Sequence, residues 1–187
     1  MIHKIIFGIV MAAYLIIPIV MITRYESVLS EGELFRFHAM PIDPYDSFRG
    51  KYIVLRFSET EVPKSVCSDT LEKGQEVYVN ISKRDSDFVV INNVSATGTV
   101  GENYFKAIVE YTYEGSESLT LDFPFDRFYM NEELAPLAEK ILRRSNWTET
   151  TEVYVDVRII NGNAVIEDIY VNGKKIVDYL KALPNEE

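Results

Sequence analysis

Cysteine, histidine and basic residues are scarce in this chain. Cys67 is the one cysteine in 187 residues, so no disulfide can form within the chain. The two histidines, His3 and His38, stand far apart and belong to no cluster of metal-ligating residues, which argues against a zinc site. Nineteen lysines and arginines face 29 aspartates and glutamates, a net charge of −10. Because an acidic surface repels phosphate backbones, we expect no nucleic-acid partner.

Sequence motifs for catalysis are absent as well. The chain has no glycine-rich phosphate loop and no Gly-x-Ser-x-Gly elbow. His38 lies in a predicted strand, Glu33 to Met40, between aromatic neighbours, and a lone histidine there is more often structural than a general base. We therefore expect no catalytic residue, no bound metal and no cofactor, and we favour a binding role over an enzymatic one.

The chain does contain one long apolar run. Nineteen residues without a charge, Ile5 to Thr23, separate Lys4 from Arg24. As a helix this run is about 28 Å long, close to the roughly 30 Å of a bilayer core. The sequence therefore predicts a membrane anchor in residues 1–24, crossing the membrane through residues 5–23. The alternatives are a cleaved secretory signal, which has a shorter apolar run, and a buried core helix, which needs a polar face that this run lacks.

The charges beside the apolar run predict its orientation. The amino-terminal side carries the α-amine and Lys4, whereas the other side begins with Arg24 and then carries Glu26 and Glu31. This small positive-inside bias favours a cytoplasmic amino terminus and an exported body. We expect an inner-membrane protein with a periplasmic or extracellular carboxyl-terminal domain.

Residues 25–187 are predicted to form one β-rich domain. Apolar and polar residues alternate with a period of two, which is typical of strands with one buried face. Asn161-Gly162 and Asn172-Gly173 stand where tight hairpins need positive φ, with the last strand expected at residues 174–177. The pattern predicts an antiparallel sheet, arranged as a sandwich or a partly open barrel. The residues expected to share a face within a strand are Val77, Val79 and Ile81; Phe105, Ala107, Val109, Tyr111 and Tyr113; Leu119, Leu121 and Phe123; and Val153, Val155, Val157 and Ile159.

One segment of the body has helical periodicity instead. Its apolar residues recur at i, i+3, i+4, i+7 and i+8. Asn131 is the expected cap, and Pro136 is tolerated only within the first turn. We expect this helix to cover one opening or face of the sheet, with a partner-binding helix as the alternative. The apolar stripe consists of Leu134, Leu137, Ala138, Ile141 and Leu142.

Residues 41–57 form the most distinctive segment. Prolines brace a loop in which Asp43 and Asp46 can cap turns, and Gly50 leads into a strand. Within that strand Ile53, Leu55 and Phe57 are expected to share one face.

This segment resembles the GDYXXLXY family of bacterial membrane-anchored proteins, named after that pattern. The matching residues are Gly50, Tyr52 and Leu55, with Phe57 in the final aromatic place. Lys51 stands where the family has Asp. Either that Asp has no chemical duty in the family, which we favour, or this member has lost it. The Asp43-Pro44 and Arg49-Gly50 pairs resemble the usual lead-in, and Arg127-Phe128-Tyr129 followed by Glu132 or Glu133 resembles a second recurring segment. The resemblance implies an amino-terminal anchor, a β-rich body, no established activity and a polytopic membrane protein as partner.

Two enzymatic interpretations remain as alternatives. Asp43 and Asp46 could act as a carboxylate pair, or hold a cation with Asp85 and Asp87. A membrane-anchored hydrolase similar to signal peptidases would need a Ser–Lys dyad, for which Ser47 and Lys83 are the candidates. A sensor that closes over a small envelope ligand is a further alternative.

The favoured interpretation is an interaction surface. Aromatic residues beside an arginine have the composition of a binding hot spot. We expect Tyr45, Phe48 and Arg49 to form such a surface together with Arg127 and Tyr129. The motif residues predicted to contribute to binding are Asp43, Asp46, Arg49, Gly50, Tyr52, Leu55 and Phe57.

Overall fold

A long amino-terminal helix opens the fold. A computed structural model describes residues 2–41, 52–84, 87–98, 101–113, 115–143 and 151–183. Helix α1 (Ile2–Glu31) is long and apolar enough over His3–Glu31 to cross a membrane. The side chains of its apolar window are exposed on all sides, so it is not the core helix of the β domain.

Helix α1 continues past the predicted boundary at residue 24, and its last turns pack on the β domain. Val28 is buried, and the Gly32 amide donates to the Val28 carbonyl at 2.9 Å. The Gly32 carbonyl accepts from Nη1 of Arg158 at 3.2 Å. A β-carbon at position 32 would collide with the Val28 carbonyl and crowd the Ile159 amide, so this close junction requires glycine. The helix therefore passes into the β domain without an intervening linker.

Antiparallel strands make up most of the remaining structure. In spatial order, the first sheet contains β12 (Lys174–Lys175), β11 (Asn163–Val171), β10 (Val153–Ile160), β1 (Glu33–Met40) and β3 (Arg56–Phe57). The second sheet contains β4 (Glu61–Pro63), β8 (Ser118–Asp122), β7 (Tyr104–Tyr111), β5 (Glu76–Lys83) and β6 (Val89–Ser95). Strands β2 (Tyr52–Val54) and β9 (Arg127–Tyr129) form a separate two-stranded ribbon.

Two isolated bridges join the five-stranded sheets. Arg36 of β1 pairs with Phe88, just before β6, and Phe105 of β7 pairs with Gly162 in the β10–β11 turn. The result is a nearly closed, barrel-like sheet, which settles the choice between sandwich and barrel.

Five phenylalanines fill the centre of the barrel, and each is at most 4% exposed. Phe37 lies 5.6 Å from Phe57, 6.1 Å from Phe105, 6.0 Å from Phe123 and 5.1 Å from Phe125, measured between ring centroids. The four contacts of Phe37 are edge-to-face, the arrangement that aromatic quadrupoles favour. These rings come from both sheets, so their packing holds the two sheets together.

The strand predictions are largely confirmed. Both Asn-Gly pairs form turns with positive φ, at 50° and 81° for Asn161 and Gly162 and at 50° and 76° for Asn172 and Gly173. The expected apolar faces of β5, β8 and β10 are buried, as are Ile53, Leu55 and Phe57.

The inner face predicted for β7 is wrong at its end. Tyr111 and Tyr113 are 55% and 57% exposed, whereas Phe105, Ala107 and Val109 are buried. The register with β8 shifts between Val109 and Tyr111. Such a bulge inserts a residue, so the side chains beyond it change face.

The covering helix is confirmed with a shifted buried face. Helix α2 (Ala135–Leu142) carries Pro136 in its first turn, as required. Of the predicted stripe, Ala138 and Leu142 are buried, and Leu134 and Ile141 pack against the core. Leu137 is instead 45% exposed, and Ala135 is buried in addition. Asn131 caps the preceding turn rather than α2, since its Oδ1 accepts from the Glu133 amide at 2.9 Å.

The strand expected over residues 174–177 is only half right. Lys174 and Lys175 form β12, but Ile176–Lys181 form a short helix, α3. Ile176 and Leu180 are buried at a spacing of four, which is one helical face and overrides the strand propensity of Ile-Val.

Asp69 fastens the connection before β5 to the end of β6. Its Oδ2 accepts from the Ala96 amide at 2.9 Å and from the Ser95 hydroxyl at 2.9 Å. These hydrogen bonds, the Ala96 amide foremost, lower the pKa of the Asp69 carboxyl.

Replacing one central ring tests the core. Phe123→Ala is expected to lower the free energy of unfolding by about 3–5 kcal/mol, because it leaves a cavity among rings that cannot all move. Chemical denaturation of the full-length chain in detergent, followed by near-ultraviolet circular dichroism, measures the change. The exposed Tyr113→Ala serves as the matched control, and equal stabilities of the two variants would contradict the assignment of the core.

The pH dependence of the melting temperature of Asp69→Asn tests the hydrogen bonds that the Asp69 carboxylate accepts. The folded-state pKa is lowered, so the ionised carboxylate stabilises the fold above its unfolded pKa, and this contribution is lost as pH falls through the folded value. The variant is expected to melt at a lower temperature than the wild type at neutral pH, with the difference vanishing in acid. A melting difference that does not change with pH would refute the role of the charge.

Candidate functional site

The two sequence segments that resemble family motifs are brought side by side. Strand β2 pairs antiparallel with β9, and the register places Tyr52 opposite Tyr129 and Val54 opposite Arg127. Seventy-odd residues separate these strands in the chain, so only the fold makes them neighbours.

Tyr52, Arg127 and Tyr129 form a cluster on this ribbon. The Tyr52 and Tyr129 rings lie 5.6 Å apart and are tilted by 56°. The Arg127 guanidinium lies 5.3 Å from the centroid of the Tyr52 ring, a cation–π contact. Tyr129 is 68% exposed and the Arg127 side chain 55%. The cluster therefore presents a preformed aromatic and cationic surface to solvent.

The other described motif residues belong to the core. Leu55 is buried, and its amide donates to the Asp126 carbonyl at 2.7 Å. Phe57 is 1% exposed and packs against Phe37 and Phe125. Leu55 and Phe57 thus position the ribbon, because the Leu55–Asp126 bond lies directly beside Arg127, but neither side chain reaches the surface.

The remaining predicted site residues lie outside the described part of the chain. Their assignment stays a prediction. They are Asp43, Tyr45, Asp46, Phe48, Arg49 and Gly50.

A groove runs between α1 and the barrel beside the ribbon; we call it the helix–barrel groove. Its larger compartment, about 950 Å³, is bounded by Tyr25 and Leu29 of α1, by residues 124–129 and by residues 164–167. A second compartment, about 590 Å³, shares Tyr25, Ala164 and Val165 with the first and includes Arg24 and Lys106. Arg127 and Tyr129 line the larger compartment, so the cluster and the groove form one continuous surface.

This groove was not predicted from the sequence, because the helix was expected only over the anchor, residues 1–24. Tyr25, Val28 and Leu29 stand at i, i+3 and i+4, an apolar stripe that signals two further helical turns. That signal identifies the helix face that packs on the barrel.

Acidic side chains surround a third depression, near β3 and β8, of about 560 Å³. Burial raises the pKa of the Asp122 carboxyl, and the carboxylates of Asp126 and Glu110 raise it further. Mutual repulsion of this kind needs no ligand to explain it, and no group of three or more His, Cys, Asp or Glu residues in the described ranges is arranged to hold a metal ion.

Two of the residues considered for catalysis, His38 and Lys83, make contacts within the protein. His38 stacks on Phe88 at 4.2 Å, and its Nδ1 lies 2.7 Å from Oε1 of Glu59. Lys83, the candidate base, lies 2.7 Å from Oε1 of Glu33 and lowers the pKa of that carboxyl through its hydrogen bond. Ser47, Asp43, Asp46 and Asp85 lie outside the described residues.

A partly buried ion pair joins β1 and β10 on the outer face of the first sheet. Asp156 is 5% exposed, and its Oδ1 accepts from Nε of Arg36 at 3.1 Å. Burial raises the pKa of the Asp156 carboxyl, although the guanidinium of Arg36 opposes the shift. The Arg36 guanidinium also lies over the Tyr154 ring, which stacks on Tyr170 at 5.0 Å. The faces of Tyr154 are therefore occupied within the protein, and the arrangement fixes β1 against β10.

Comparison with known proteins gives one match. No curated protein and no solved structure matches the chain. The family model described as "GDYXXLXY protein" matches residues 14–169, from the middle of α1 into β11. Because this match covers most of the chain and includes both strands of the ribbon, the chain belongs to the GDYXXLXY family.

Proposed function

We propose that the chain is a single-pass protein of the bacterial inner membrane whose barrel binds a second, polytopic membrane protein of the envelope. In this proposal residues 5–23 cross the bilayer, the amino terminus is cytoplasmic, and residues 25–187 lie in the periplasm or outside the cell. The observation that carries it is the cluster of half-buried Tyr52 with exposed Arg127 and Tyr129, which lies beside the last turns of helix α1.

The rigid junction between α1 and the barrel supports a membrane-protein partner. Val28 and Gly32 pack against the barrel, so the distance between the end of the apolar run and the cluster is fixed by structure rather than by a flexible linker. Eight residues of α1 follow Thr23, corresponding to about 12 Å. Tyr25 and Leu29, which follow the apolar run, line the same compartment as Arg127 and Tyr129. A surface beside this part of α1 favours a partner that is itself in the membrane.

The chemistry of the cluster supports protein binding. Tyrosine and arginine are enriched among residues that dominate binding energy, and those residues concentrate where neighbouring contacts exclude water. Tyr129 is exposed to solvent, the Tyr52 ring of the adjacent strand lies beside it, and the Arg127 guanidinium lies over the Tyr52 ring. The groove beside it provides apolar surface from Leu29, Phe128 and Ile166.

Topology is tested first. The full-length chain is expected to stay in the membrane pellet after alkaline washing, because an apolar helix of this length partitions into lipid. An alkaline phosphatase fused after Glu187 is expected to be active, and a cytosolic reporter at the same place inactive. Release into the supernatant, or the opposite reporter pattern, would refute the anchor or its orientation.

Partner binding is tested with matched tyrosine variants. Tagged full-length chain is recovered from detergent-solubilised membranes of its own host, and bound membrane proteins are quantified by mass spectrometry. Tyr129→Ala and Arg127→Ala are expected to reduce recovery of the partner at least about tenfold, since truncation of a hot-spot residue costs about 2 kcal/mol or more.

Tyr113→Ala is the control, because Tyr113 is a similarly exposed tyrosine that lies outside the cluster and the helix–barrel groove. Unchanged melting temperatures show that all variants are folded. Equal recovery with Tyr129→Ala and Tyr113→Ala would rule out the cluster as the binding surface.

A further inference from the structure

We infer that the smaller compartment of the helix–barrel groove seats the headgroup of a membrane phospholipid, with its phosphate facing Arg24. This inference rests on the membrane span in the proposed function and adds a ligand site to it. The compartment lies between α1 and the β10–β11 turn, and its volume of about 590 Å³ is within the range of small-molecule sites.

The position of the compartment favours a phospholipid headgroup as its ligand. Met21, Arg24 and Tyr25 line it, and Arg24 is the first charged residue after the uncharged run. The helix segment from Met21 to Glu31 is about 15 Å long. It begins within the apolar run, so in the proposed orientation it passes through the headgroup layer, which is several Å thick. Headgroups of the surrounding bilayer are therefore at the level of the compartment and are present at high local concentration.

Three charged residues line the compartment, Arg24, Lys106 and Glu31, and of these we assign Arg24 as the phosphate ligand. Lys106, the other cation in the lining, is held by Glu76 at 2.7 Å and lies over the Tyr78 ring. In contrast, the guanidinium of Arg24 has no hydrogen-bond or ion-pair partner within the described part of the chain. A guanidinium is suited to a phosphate because its parallel N–H donors match two phosphate oxygens.

The apolar part of the lining suits the glycerol and upper acyl region of the lipid. Met21, Val28 and Val165 all line the compartment. Tyr25 lines both compartments and, in the proposed orientation, lies at the level at which tyrosine anchors membrane proteins. A cation near an apolar wall at the membrane surface is the composition that recognises an anionic lipid headgroup.

The test measures phospholipid binding to the full-length chain. The protein is purified in mild detergent, depleted of lipid and titrated with phosphatidylglycerol, and the lipid-bound fraction is read by native mass spectrometry. Arg24→Gln is expected to weaken binding about tenfold, the loss expected for one charge-assisted contact. Leu29→Glu, which adds a carboxylate close to the groove, is expected to weaken it in the same direction.

Lys4→Gln is the matched control, because it removes one cation at the opposite end of the span and far from the groove. Binding that falls equally in Lys4→Gln and Arg24→Gln would mean general attraction of lipid to charge and would overturn the site. Loss of lipid binding on addition of millimolar inorganic phosphate would overturn it as well, since a free anion would then be the ligand. If the wild-type protein stays in the membrane after alkaline washing but binds no phosphatidylglycerol, the lipid site is refuted and the proposed anchor is not. If alkaline washing releases the protein, the proposed anchor is refuted.

Discussion

The packing of five phenylalanine rings is the constraint on which the rest of the fold depends. Phe37 touches the other four rings, and these come from strands of both sheets or from the segment just after β8. Such a cluster can form only when the sheets face each other, so it couples the barrel to the connection that carries Phe123 and Phe125. That connection leads directly into Asp126 and β9, and the position of the exposed ribbon is thereby set by rings buried in the core.

Some residues of the family motif pack in the core, and another lies on the surface. Phe57 is one of the five rings, and Leu55 is buried and bound through its amide to the Asp126 carbonyl. Tyr52, three residues before Leu55, faces outward on the ribbon and meets Arg127 and Tyr129. The alternation of a strand explains the division, because residues on one face enter the core while the other face remains free. A short sequence pattern can therefore encode a packing site and a surface together.

Helix α1 packs on the barrel beside this surface. A helix that ended at Arg24 would leave the barrel on a flexible tether, whereas the observed helix packs on β10 and β11 through Val28 and Gly32. The groove between helix and barrel follows from that contact. In the two proposals, this junction holds both the aromatic cluster and the smaller compartment of the helix–barrel groove near the bilayer surface. Partner binding and lipid binding would then depend on the same contact between helix and barrel.

The sequence alone determined the apolar helix, the antiparallel β domain, both Asn-Gly hairpins and the family. Each rests on local periodicity or on a short motif, and local steric rules act on neighbours in the chain. Three features were decided only by the tertiary structure: the bulge that exposes Tyr111, the helix that begins at Ile176, and the meeting of Tyr52 with Arg127. These depend on which distant strand is the neighbour and on how much core volume remains to be filled. Such long-range contacts leave no period in the sequence, and they become visible only when the chain is packed.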